Sequence, residues 1–129
     1  MVVNYGGQAI TVPTKEEILR IKSALILKRN ATRDYLDFVA LADQLGDDKT
    51  AKALSGLDRL YPQANDESAL QQLQIQLANP LPYDLEETRL TEYKNLAPKW
   101  QAWKTVKEAC HHWATTVFDR VAALEQKRD

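Results

Sequence analysis

Between Pro98 and Lys127, residues Trp103, Val106, Cys110, Trp113, Val117, Val121 and Leu124 recur every three or four positions. A helix turns once in about 3.6 residues, so this spacing lines them up along one side of a helix. A stripe that long and bulky has to be covered by several neighbours at once, and it commits the chain to a helical assembly around its last element. All three tryptophans fall in this stretch. Trp100, at its start, carries an indole N–H that needs a partner once buried. Cys110 lies on the stripe and reads as a small buried hydrophobe rather than a nucleophile.

The rest of the chain supplies the covering elements. Val2, Val3 and Tyr5, then Ala9, Ile10 and Val12, flank Gly6-Gly7, the pattern of a β-hairpin whose tight turn needs positive φ. Thr14 and Glu17 form a capping box that opens a first helix. Its Ile18, Ile21 and Leu25 make one stripe, which Leu19 and Ile26 widen past half the girth, so the helix is buried on two sides or lacks a neighbour. A second helix runs from Thr32 to Gly46, with Tyr35, Phe38, Ala42 and Leu45 on one face. Asp47 or Asp48 opens a third, whose stripe of Ala53, Leu54, Leu57, Leu60 and Tyr61 ends at Pro62 and is weakened slightly at Gly56. Asn65 or Asp66 caps a fourth, with Leu70, Leu73 and Leu77 inward and a solvated glutamine face outward. Asn79-Pro80-Leu81-Pro82-Tyr83 is the clearest break, after which Asp84 caps a fifth helix bearing Leu90, Tyr93 and Leu96. The expectation is a mainly α fold, a bundle of about six helices with a short N-terminal β-hairpin, in one domain over residues 1–129: hairpin 1–13, bundle 14–129.

Seventeen basic residues against eighteen acidic ones leave a formal charge of −1, so bulk charge gives no reason to expect nucleic acid or an anionic membrane. No apolar run approaches the ~20 residues needed to span a bilayer, and no signal peptide opens the chain. One cysteine excludes an internal disulfide. These features predict a cytoplasmic protein with no membrane contact. Cys110-His111-His112 is not read as a metal site, since adjacent helical residues point about 100° apart and Glu108 with His112 makes only two ligands. No Walker loop, Gly-x-Ser-x-Gly or Cys-x-x-Cys occurs.

Charge is densest from Lys22 to Asp37, where Lys22, Lys28, Arg29 and Arg33 meet Asp34 and Asp37 across the short link Asn30-Ala31-Thr32. Arg29 and Arg33 beside a helix start can grip an anion, because the first N–H groups of a helix are unpaired. Arg33 and Asp37, four apart, can equally be an ordinary solvated ion pair. The run from Pro13 to Asp37 resembles the third and fourth motifs of the AbiEii-type nucleotidyltransferases, toxins of bacterial toxin–antitoxin and abortive-infection systems. In that family a strand ending in proline leads to a helix with a lysine, here Lys22, and then to Arg-x-x-x-Arg-Asp-x-x-Asp, here Arg29 to Asp37.

The resemblance implies that Lys22, Asp34 and Asp37 serve catalysis and that Lys22, Arg29 and Arg33 bind nucleotide or phosphate. The family's glycine turn and metal-holding Asp-x-Asp strand are missing, and the twelve residues before Pro13 leave no room for them. Two-metal phosphoryl chemistry depends on such carboxylates. The resemblance therefore implies the C-terminal helical portion of an enzyme, inactive alone, with Mg²⁺ and a nucleoside triphosphate bound only when a companion catalytic chain supplies the core. A cognate antitoxin is a further partner it implies. The alternative, motivated by the apolar first helix and the hairpin, is a non-enzymatic helical module that binds a protein or itself as a homo-oligomer. RNA binding through Lys28, Arg29 and Arg33 is the weakest of the three readings.

Overall fold

The structure is a computed structural model that describes residues 2–6, 8–85 and 97–126. The described chain is mainly α. Strands β1 (Val2–Tyr5) and β2 (Gln8–Thr11) pair antiparallel, Tyr5 opposite Gln8, and Gly6 takes the positive φ of +56° that the tight turn requires.

Helix α1 (Lys15–Arg29) starts where Thr14 Oγ1 accepts from the Glu17 N–H at 3.1 Å, while the same hydroxyl donates to the Glu17 carboxylate. It buries Leu19, Ser23 and Ile26, and the Ser23 hydroxyl donates to the Leu19 carbonyl at 2.9 Å. Its most buried face is therefore not the expected Ile18–Ile21–Leu25 stripe: Ile21 is exposed and its two companions are half-buried. Helix α2 (Thr32–Leu45) contributes Tyr35, Leu36, Phe38, Val39 and Ala42, and ends at Gly46, whose φ is +83°. Helix α1 packs on α2, on α3 (Asp47–Leu54) and on α5 (Ala69–Ala78).

The expected third helix is two pieces. Ser55 bonds back to the Lys52 carbonyl at 2.8 Å, the chain turns at Gly56, and a single turn, α4 (Leu57–Leu60), follows. Leu57 is buried, whereas Leu60 stands exposed. Helix α5 is capped by Ser68 rather than by Asn65 or Asp66, because those two residues hold left-handed φ values of 61° and 58° and a cap needs extended backbone. Ser68 Oγ accepts from the Gln71 N–H at 3.1 Å, and Asp58 accepts from both Ser68 Oγ and the Leu70 N–H. The glutamine face is only partly solvated: Gln74 Nε2 donates to the Ala114 carbonyl at 3.0 Å, and Gln76 turns its Oε1 inward. Most of the helix expected after Asp84 lies outside the described residues.

The last element is interrupted twice. Pro98–Gln101 form a 3₁₀ turn that buries Trp100, Ala102 is extended, and α6 (Trp103–His112) begins only there. Trp113–Val117 then form a π-helical turn leading directly into α7 (Phe118–Gln126). A π turn holds an extra residue, so the buried set passes from Trp113 and Ala114 to Phe118, which the α-periodic stripe left out, and on to Val121. The carbonyl that takes the Gln74 bond lies inside this turn. Helix α6 rests on α2 and α5, and α7 on α3, closing one apolar cluster from Leu19 to Val121.

Candidate functional site

The site that the sequence singles out is the bend between α1 and α2. Helix α1 stops because Asn30 turns left-handed (φ 50°, ψ 44°), with its N–H donating to the Ile26 carbonyl at 3.0 Å. Asparagine tolerates that conformation better than other side-chain-bearing residues. Its amide then ties the bend together: Oδ1 accepts the Tyr35 hydroxyl, and Nδ2 donates to the Leu81 carbonyl at 2.8 Å. The Asn30 carbonyl accepts the Tyr83 N–H at 3.1 Å. Two residues on, the Thr32 N–H and hydroxyl both donate to Asp84 Oδ1 at 2.8 Å, so the proline-rich segment supplies the carboxylate at the start of α2. The sequence places Asp84 at the start of the following helix and Asn30 in the short link, whereas the structure makes both of them ties across the bend. The available signal was an asparagine at a helix end with two prolines fixing a segment elsewhere.

Charge is organised on this frame. Arg29 forks onto Asp34, its Nε donating to Oδ2 at 3.2 Å and a terminal nitrogen to Oδ1, and the Asp34 side chain is fully buried. This bidentate pair raises the Arg29 pKa above its ordinary value, first through the Asp34 hydrogen bond and then through the charge of that carboxylate, with Asp37 adding to it. Lys22 Nζ reaches Asp37 Oδ2 at 3.0 Å, and Arg33 Nε lies 3.8 Å from the same oxygen. The structure thus gathers Lys22, Arg29, Arg33, Asp34 and Asp37 at one bend. It also gives each acid a cation of its own chain, a packing reason for the Arg-Asp-x-x-Asp spacing that requires no substrate.

Beneath the bend the Tyr35 ring meets Trp103 edge to face at 6.2 Å, and burial raises its phenol pKa. Burial likewise pushes the Cys110 thiol up to about 12, the state of an inert core cysteine. Among the described residues, no group of three or more His, Cys, Asp or Glu side chains is placed to hold a metal ion. His112 instead lies 3.4 Å from Asp47 and packs its ring against Trp113.

The chain is similar to one segment of a class of large transport proteins. Those relatives are MmpL11 proteins: the heme uptake protein MmpL11 of Mycobacterium tuberculosis is 35% identical over 124 residues, 95% of this chain. The probable transport protein MmpL11 of Mycobacterium leprae is 32% identical over 126 residues. The mycolic acid-containing lipids exporter MmpL11 of Mycolicibacterium smegmatis is 30% identical over 115 residues, 88% of this chain. The match covers only 11 to 12% of each relative's length. No family model and no solved structure matches the chain. The alignments overturn the nucleotidyltransferase and toxin–antitoxin resemblance, which rested on a short run of charged residues, whereas these matches extend over nearly the whole sequence. No helix among the described residues is long and apolar enough to cross a membrane.

Proposed function

We propose that this chain corresponds to a helical portion of an MmpL11-type transport system that folds beside the membrane-embedded machinery rather than within the bilayer. The observation that carries the reading is the alignment of 95% of the chain with MmpL11 proteins of two mycobacteria. The lack of a membrane-length apolar helix among the described residues supports its placement outside the lipid. Relatives are named for heme uptake and for export of mycolic acid-containing lipids, and we assign the chain to the same kind of traffic, as a part that the transport cycle requires. We place it on the cytoplasmic side, and the labelling experiment below tests that side.

Grafting tests the first statement. In a mycobacterium dependent on MmpL11 for heme-supported growth, deleting the matching segment is expected to abolish growth while the transporter still reaches the membrane, and inserting this chain in its place to restore it. Undiminished transport after the deletion would refute the reading. Sidedness is tested with Lys49→Cys, exposed on α3, in that graft: a membrane-impermeant maleimide should label it only after lysis, and labelling in intact cells would place the segment outside.

A further inference from the structure

The two most exposed large apolar residues recorded in the structure stand next to the bend: Leu81 is 67% exposed and Tyr83 75%. Both belong to a segment with little freedom to fold them away. Its backbone is pinned to Asn30 at the Leu81 carbonyl and the Tyr83 N–H, Pro80 and Pro82 are buried, and Asp84 is fastened to Thr32. A rigid loop holding a leucine and a tyrosine in water has already met the ordering cost of an interface.

Two of the ion pairs beside this loop leave the cation as the more exposed partner. Asp34 is buried against Arg29, Asp37 holds Lys22 and lies 3.8 Å from Arg33, and Asp84 closes onto the start of α2. Three cations face outward: Lys28 is exposed, Arg29 is half exposed, and the Arg33 side chain is 69% exposed. Two apolar anchors beside three basic residues match the interfacial zone of an anionic bilayer, where aromatic and aliphatic tips enter the headgroups and Lys and Arg meet the phosphates.

We infer that the Leu81–Tyr83 loop together with Lys28, Arg29 and Arg33 docks on an anionic lipid surface. The inference rests on the transporter reading only for its setting beside a membrane, and it fails or stands on a separate measurement. The anchors are few, so the contact is reversible and fixes the orientation of the domain rather than its attachment.

The test is co-sedimentation of the full 129-residue chain with phosphatidylcholine vesicles, with and without about a third phosphatidylglycerol. Binding is expected to the anionic vesicles alone and to fade with salt. The pair Leu81→Ser with Tyr83→Ser should weaken it about tenfold, and Lys28→Gln or Arg33→Gln about fivefold each. These side chains are exposed and outside the core, so the variants should keep the unfolding temperature of the parent chain, which is measured alongside. A parent chain that ignores anionic vesicles overturns the inference. So does binding that survives both sets of substitutions, which would place the lipid contact elsewhere. If the graft experiment fails while vesicle binding holds, the transporter reading falls and the lipid surface remains.

Discussion

Two places in the molecule pair arginine with aspartate across helices, and they do different work. At the α1–α2 bend the acid is Asp34, fully buried and held by both forks of Arg29. At the start of α3 the acids are Asp47 and Asp48, met by Arg120 from α7, and Asp48 is 92% exposed. A carboxylate removed from water has lost its hydration and depends on its partner, whereas one in water loses almost nothing when the partner goes. The bend pair therefore fixes the angle between two helices, and the α3 pair decorates a contact already made by apolar packing. Residue type and spacing look alike in the two places, and burial separates them.

Substitutions can break that comparison, beginning with the strongest. Asp34→Ala removes the buried acceptor of two charge-assisted bonds and is expected to lower stability by about 2–3 kcal/mol in urea unfolding. A loss below that of a surface pair would erase the distinction. Asn30→Ala forfeits the left-handed turn and both amide bonds, at about 1–2 kcal/mol, while Asn30→Gly keeps the turn and should recover part of the loss. If the two variants are equally stable, the side-chain bonds to Tyr35 and Leu81 contribute most of it.

Alkali addresses only the buried side. Cys110 holds its proton in the folded chain up to about 12 but releases it near 9.0 when unfolded, so between these values the unfolded state binds fewer protons. Stability then falls as pH rises through that window, by roughly 1 kcal/mol at pH 10, and burial of Tyr35 extends the decline in the same direction. Cys110→Ala should flatten the early part of the slope in pH-dependent thermal melts. Smallest of all, Asp48→Ala is expected to shift stability by less than about 0.5 kcal/mol, and the shift should shrink further in high salt.

Helix positions were legible wherever local chemistry set them. Thr14 with Glu17, Thr32 and Gly46 mark their boundaries through caps and turn preferences that a few residues determine. Periodicity also named most of the core, from Tyr35 and Phe38 to Val106 and Cys110. What escaped depended on partners far along the chain. Asp84 serves Thr32 across the proline segment, and Gln74 reaches Ala114; neither pairing leaves a trace in the spacing of nearby residues. The charge cluster at 22–37 pairs within the chain, Arg29 on Asp34 and Lys22 and Arg33 on Asp37, and a short motif carries the same letters whether it grips a substrate or locks a bend.

The π turn at Trp113–Val117 has a bearing on how this segment can change over generations. It contains one residue more than a regular helix would use, on a stretch whose Thr115 faces the solvent and is satisfied by the His111 carbonyl. Losing Thr115 would let the helix run straight through while Phe118 and Val121 kept their inward places, with Gln74 giving up its acceptor. Single-codon deletions at this point should be tolerated far better than deletions one turn to either side. Relatives that differ by one residue here would then be length variants of the same packing rather than different folds.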